Sequence, residues 1–323
     1  LKGAAVEPDD VHGVEQAVAE LQHDVLQLGH PSAAIHWFLG TQGVRSQAAM
    51  WPGRDALLTH DELLARLQSR CTLALIAKAA DARSMLLVLA RDGEGLVSSH
   101  LRALPDDETP AAILRTVHAI APDALDLTLI PLGELRCIAW QHHAASAWPG
   151  GMRLRLHLTL AAWWQQRALD QARANTPAGP PQASPPSWLL AAHDAWNTGN
   201  LDDRLPWVQI ESFLSRRLWG AGSLVQLQED STAPLPATAL LACGHGTASD
   251  FGGGGSSGHR RGAGLATTLP RLPMLRQMLL NCCEMGRVHD VAGDPCGLLA
   301  QAFTLGLRFA MAPLSRVHDF DMA

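Results

Sequence analysis

The sequence predicts an α/β fold, a mainly parallel sheet with helices on both faces, and three observations predict it. Short apolar runs bounded by Gly, Pro or polar residues recur along the chain, each long enough for one buried strand. Segments with helical spacing of apolar residues stand between them. Beyond residue 187 the two kinds alternate strand, helix, strand, which is the rhythm of crossovers between parallel strands.

The first 70 residues read as helical and amphipathic. Val14, Ala17, Val18, Leu21, Val25 and Leu28 recur at helical spacing, and Asp9-Asp10 charge the helix start. A second helix is predicted from Thr59 to Ser69, with Leu63, Leu64 and Leu67 on one side. This segment, residues 1–71, is read as a packing or partner-docking appendage on which a regulatory protein would sit. From Thr72 the period changes. Leu73–Ala77, Met85–Ala90 and Gly95–His100 read as strands, with Asp92-Gly93 as a hairpin turn. Pro110 to Ile120 reads as a helix with Pro in its first turn. Leu125–Ile130 is the next strand, and Leu158 to Ala174 a helix carrying Trp163 and Trp164. Residues 176–187, rich in Pro and small side chains, read as an exposed linker.

Past that linker, Trp188–Ala192 is predicted as a strand, Leu205–Trp219 as a helix, and Leu224–Leu227 and Thr238–Cys243 as strands. Phe251 to Gly258 holds four consecutive Gly and lacks the Lys-Ser/Thr ending of a phosphate loop. It reads as a flexible linker, plain enough to suggest an engineered replacement for a longer loop. Met278–Asn281 is the next strand, Pro295–Leu305 a helix with Pro at its start, and Arg308–Pro313 a strand.

Composition narrows the function classes. With 47% hydrophobic and 17% charged residues, the 323-residue chain belongs with globular proteins and not with disordered ones. A net charge of −6 gives no basic footprint, so nucleic acid is not an expected partner. No apolar run approaches bilayer length, so no membrane partner is expected either. Leu1-Lys2-Gly3 lacks the order of a signal peptide, and a first residue other than Met suggests a trimmed start. The six cysteines, with Cys282 and Cys283 adjacent, suit neither a disulfide framework nor a CxxC metal knuckle. A reducing cytoplasm is the expected compartment.

Two signatures carry chemistry. One is Leu240-Leu241-Ala242-Cys243-Gly244-His245-Gly246, the other Met278-Leu279-Leu280-Asn281-Cys282-Cys283-Glu284-Met285-Gly286. Each places a reactive side chain just past the end of a predicted strand, and in an open parallel sheet ligands sit outside the carboxyl ends. A base beside a thiol is the minimum set for a cysteine nucleophile. Alternation assigns Cys282 to the core as a small hydrophobe and Cys283 to the loop. Gly244 and Gly246 leave amide N–H groups unobstructed around His245, and such amides serve as oxyanion holes. Most cysteines after strands are structural, so the case rests on the pair and not on either residue. Cys243, His245, Cys282, Cys283 and His289 also hold zinc-type donor atoms, but their spacing is not that of a zinc site, and no metal is expected.

Together these signatures resemble the CHAT peptidase family, caspase-like proteins related to caspases and separase among the CD-clan cysteine peptidases. Ala242-Cys243-Gly244-His245-Gly246 is similar to the family's Ala-Cys-His-Gly with one Gly inserted. Asn281-Cys282-Cys283-Glu284-Met285-Gly286 is similar to Ser-Ala-Cys-Glu-Thr-Gly. Further likeness runs through Gly293-Asp294, Gly297-Leu298, Ala302-Phe303 and Gly306 to the strand Phe309–Leu314. Upstream, Leu129 to Leu135 is similar to the family's Val-Pro-Asp-Gly-x-Leu, and Ala139-Trp140 to the Pro-Phe after it. The resemblance covers residues 72 to 323.

It implies a pseudo-protease-like α/β half at 72–186 and a caspase-like catalytic half at 187–323. By the same resemblance His245 is the general base, Cys283 the nucleophile, and the amides of Gly246 and Cys283 the oxyanion hole. The substrate would be a specific protein, cut through a thioester, in prokaryotic defence or regulated cell death, for example to activate a pore-forming protein. The family continues with a helix and a strand where this chain stops, so a missing segment or a second chain is expected there. Asp250 and Asp294 are the candidates for binding a basic substrate side chain. A second reading stays open: a catalytically silent caspase-like scaffold that binds partners. Neither reading needs a metal or cofactor.

Overall fold

The computed structural model of the chain describes residues 8–41, 59–78, 83–105, 107–148, 152–174, 187–192, 206–220, 222–223, 235–244, 265–282, 289–291 and 294–314. It divides into two compact units, Leu1–Gln171 with Asp290–Pro295, and Ala172–His289 with Cys296–Ala323.

Three helices open the first unit: α1 (Pro8–Leu28), α2 (Pro31–Gly40) and α3 (His60–Arg66). The start of α3 follows from sequence. The Thr59 hydroxyl accepts from the Glu62 N–H while the Glu62 carboxylate accepts from the Thr59 N–H, a reciprocal cap. Strands β1 (Cys71–Ala77), β2 (Ser84–Arg91), β3 (Val97–Leu104), β4 (Asp126–Pro131) and β5 (Arg153–Leu156) form a sheet of order β3-β2-β1-β4-β5. Between them lie α4 (Pro110–Ile120), α5 (Trp140–Ala147) and, after β5, α6 (Leu160–Ala174).

This sheet is mixed, and it contains the hairpin that Asp92-Gly93 predicts. β1 runs parallel to β4, and β4 to β5, but β2 is antiparallel to both β1 and β3. The reason is two short connections: residues 78–83 join β1 to β2, and a tight turn at Asp92, whose carboxylate accepts from the Glu94 and Leu96 N–H groups, joins β2 to β3. Connections that short return the chain antiparallel. Helices cover both faces. Leu73, Leu75, Met85, Leu87 and Ile130 pack with Ile35, Phe38, Leu63 and Trp163, while Ala74, Ile76, Leu86 and Val88 pack with Leu114, Val117 and Trp140. Burial on both faces is why β1 and β2 read as unbroken apolar runs.

Two details of the first unit differ from expectation. Among the described side chains of α1 the buried apolar residue is Val25 at 4% exposure, whereas Leu21 and Leu28 are 53% and 72% exposed, so the predicted stripe is rotated. Buried Gln22 shares the inner side, its amide donating to the Arg83 carbonyl. Helix α2 has no polar stripe, because Ala34, Ile35, Trp37, Phe38 and Leu39 are all buried.

The second unit holds β6 (Trp188–Ala192), α7 (Pro206–Trp219), β7 (Gly222–Ser223), β8 (Ala239–Gly244), a short helical turn α8 (Leu265–Thr268), β9 (Gln277–Cys282), α9 (Leu298–Thr304) and β12 (Phe309–Met311). In the chain between β9 and α9 come β10 (His289–Val291) and β11 (Asp294–Cys296), a two-stranded ribbon whose residues Asp290–Pro295 belong to the first unit. The main sheet has order β12-β9-β8-β6-β7, and its described strands pair in parallel, as predicted for this half. Pro295 lies in β11 and not at a helix start. Gly297 caps α9 instead, with φ 125, a conformation that favours glycine. The predicted strand at 224–227, the linker at 176–186 and the run Phe251 to Gly258 lie outside the described residues.

These assignments predict unequal costs of two Leu truncations. Leu75→Ala, at 1% exposure in the centre of the first sheet, should lower the unfolding free energy by roughly 2–5 kcal/mol. Leu21→Ala should change it by no more than about 0.5 kcal/mol. Urea unfolding of both variants measures the difference.

Candidate functional site

The site begins with strand register. β8 and β9 are neighbours and run parallel, pairing from Ala239 opposite Gln277 to Gly244 opposite Cys282. Their carboxyl ends are therefore level. Connections from β6 lead to β7 on one side, whereas those from β8 lead to β9 on the other, so strand order reverses between β6 and β8. The carboxyl end of β8 borders that switch point, where open parallel sheets keep their ligand crevices.

His245 follows Gly244 in the sequence, and Cys283 follows Cys282. His245, Gly246, Asp250 and Cys283 lie outside the described residues. Asp294 opens β11, and its side chain is likewise outside them. The described structure thus shows the two strand ends that carry the candidate pair brought side by side. It stops one residue short of each reactive group.

Gly244 closes β8 with φ 150, a value that side chains with a Cβ rarely adopt, so the strand end uses glycine's freedom. Cys282 is 1% exposed, and its thiol donates to the Ala242 carbonyl at 3.3 Å, in keeping with a core role.

A polar cluster that sequence reasoning assigned no role sits at the same strand ends. α7 packs on the sheet through Val208, which clusters with Leu190, Leu241 and Cys243. One turn on, Glu211 is half-buried and accepts a hydrogen bond from the Asn281 amide. The same carboxylate takes a hydrogen bond from the Cys243 thiol. Ser215, buried a turn further, donates to the Glu211 carbonyl at 2.7 Å, and Trp219 stacks on Trp188 at 4.6 Å. The sequence did contain a signal for this cluster. Val208, Glu211, Ser215 and Trp219 fall on one helical stripe, and a carboxylate within a sheet-facing stripe needs a partner.

Cys243 is held as a thiol. Burial pushes its pKa above the ordinary thiol range, the charge of Glu211 and the hydrogen bond to it push further, and Cys282 adds a smaller push. It is therefore an inert core cysteine, not a second nucleophile. Cys71, buried in the first unit, is also raised, by burial first and then by Asp126. Among the described residues no three His, Cys, Asp or Glu side chains come together as a metal site, and no helix is long and apolar enough to cross a membrane.

No protein-family model matches this chain, and no curated protein matches it. The strand ends and the Glu211 cluster therefore carry the functional reading.

A raised thiol pKa has a testable sign. Below the unfolded value the thiol is protonated in both states, and the full stability is present. Above about pH 9 the unfolded chain loses the proton that native Cys243 keeps, so stability falls as pH rises. For one such thiol the slope is about 1.4 kcal/mol per pH unit. Cys243→Ala should remove that component, giving a shallower decline between pH 9 and 10 in urea unfolding.

Proposed function

We propose that the chain is a cysteine endopeptidase of the CHAT, caspase-like type, with Cys283 as nucleophile and His245 as general base. One observation carries the reading: Gly244 and Cys282, the residues directly before this pair, face each other in register at the carboxyl ends of β8 and β9. Further support comes from the parallel order around the β6/β8 switch point and from Cys282 filling the core, which leaves Cys283 as the sulfur of the vicinal pair for the loop.

In this reading the Cys283 thiol loses its proton to His245, and the Cys283 Sγ attacks the scissile carbonyl carbon. The tetrahedral oxyanion is met by the N–H groups of Gly246 and Cys283. The C–N bond breaks as the imidazolium returns its proton to the leaving amine, and a thioester remains. Water, deprotonated by His245, then attacks the thioester carbon. The C–S bond breaks and the sulfur recovers its proton. The substrate is a protein, with Asp250 as an acid that would favour a basic side chain. By the same family likeness, the setting is a bacterial cytoplasm, in defence or regulated cell death, and residues 1–71 dock a regulator.

The test is labelling with an irreversible thiol-directed peptide inhibitor, read by mass spectrometry at the Cys283-bearing peptide. The wild-type chain should form an adduct there, His245→Ala should slow it by about 100-fold or more, and Cys283→Ala should abolish it. Equal labelling with and without His245, or none at Cys283, would instead favour a silent scaffold.

A further inference from the structure

We propose that the first unit carries a binding site for a phosphate group, as the free ion or the end of a small monoester, held by Arg153, Arg155 and Arg167 at the amino ends of β1, β4 and β5. This site is independent of the peptidase reading, since it belongs to the other sheet and to the opposite ends of its strands.

Register brings the charges together. Arg91 pairs with Cys71, Cys71 with Asp126, and Asp126 with Arg153, so these four residues form one row across β2, β1, β4 and β5. Residues paired across a sheet share a face. Here it is the face under α6, because Leu73 and Leu75, two and four residues past Cys71, pack with Leu160 and Trp163. Arg155 stands two residues past Arg153 on the same face. Arg167 meets the row from α6. Its Nη1 donates to the Gln68 Oε1 at 3.1 Å, and the Gln68 carbonyl accepts from the Cys71 N–H. β1 and β5 are two strand spacings of about 4.8 Å apart, which puts Arg167 and the β5 pair within reach of one ligand. All three guanidiniums act on one group. Burial pushes the Cys71 pKa up, the Asp126 charge adds to it, and Arg167, Arg155 and Arg153 pull it down.

The charges in this cluster do not balance. Asp126 accepts a hydrogen bond from Arg153 at 2.8 Å and lies 3.6 Å from Arg155, so one carboxylate serves two arginines. Asp92, beside the row, turns its carboxylate to the Glu94 and Leu96 N–H groups. Arg167 is 7% exposed, and its described partner is the neutral amide of Gln68. Arg91 donates to the Leu64 carbonyl, and its buried Nε has no hydrogen-bond partner among the described residues. A guanidinium drawn out of water without a counter-charge is costly, and a bound oxyanion removes that cost.

The donors also select the ligand. Arginine forks bind phosphate and carboxylate oxygens through paired N–H bonds. A phosphate monoester carries a charge of about −1.5 to −2 at neutral pH, which offsets the surplus better than the single charge of a carboxylate. Arg153 and Arg155, 69% and 45% exposed, keep the site open to solvent.

The experiment titrates the full chain with two probes, inorganic phosphate and phenyl phosphate, followed by phosphorus-31 NMR in low-chloride buffer. Binding should be millimolar or tighter. The paired change Arg153→Gln with Arg155→Gln, at two exposed positions, should weaken it by about tenfold or more, and Arg167→Gln should do the same. Arg115→Gln, exposed on α4 over the other face of the sheet, should leave it unchanged. Equal affinity for the two probes identifies the free ion as the ligand, and tighter binding of the ester identifies a monoester. Should Arg167→Gln fail to fold, the paired change decides alone. No binding of either probe, binding that survives the paired change, or an equal loss in Arg115→Gln would overturn the site and leave the peptidase reading as it stands.

Discussion

Everything at the candidate site depends on the in-register parallel pairing of β8 with β9. Six consecutive pairs, ending at Gly244 and Cys282, make the two carboxyl ends level. Because side chains alternate with a period of two, a slip of one residue would turn Cys282 out of the core and bring Cys283 into it. Register is held by what each face buries. Cys243 and Leu241 pack under α7 with Val208 and Leu190, while Leu240, Ala242, Met278 and Leu280 are buried on the alternate positions. The chemistry proposed here is thus set by core packing before any reactive group is considered.

The Glu211 cluster ties a helix to the sheet through polar contacts at the strand ends. A carboxylate bound by an amide and a thiol ties α7 to β8 and β9 at their carboxyl ends. Lower on the same helix, Ser215 satisfies itself on the helix backbone and Trp219 stacks on Trp188. The upper contact is electrostatic and directional; the lower one is apolar. Such a division gives a rigid support to the end of the sheet where ligands are bound.

Much of the fold was legible because the local signals agreed. The continuous apolar runs of β1, β2, β4 and β8, the start of α3 at Thr59 and Pro110 at the start of α4 each match the structure within a residue or two. What was hidden had physical causes. α2 is apolar almost all round, so it shows no periodicity. β5 is a four-residue edge strand, Arg-Leu-Arg-Leu, too short to stand out from the helix that follows. The rotated stripe of α1 arose because Leu21 and Leu28 are apolar yet exposed, and a sequence pattern cannot tell which of two adjacent apolar lines is covered. The mixed direction of the first sheet comes from short connections on either side of β2, of which only the turn at Asp92-Gly93 carried a sequence signal. At the site, the place of Cys282 in the core was readable from alternation, and the helical stripe marked Glu211 as needing a partner without saying which. Its importance lies in partners 32 and 70 residues away in sequence, Cys243 and Asn281.

The central claim is that residues 245 and 283 meet beyond two level strand ends, and disulfide trapping tests it most directly. In a chain carrying His245→Cys and Cys282→Ala, mild oxidation should join positions 245 and 283, because a disulfide forms only where Cα atoms lie within about 7 Å. Mass spectrometry of the linked peptides reads the result. Recovery of that cross-link is the predicted outcome. Failure of the two positions to join in a chain that is folded by circular dichroism would contradict the account.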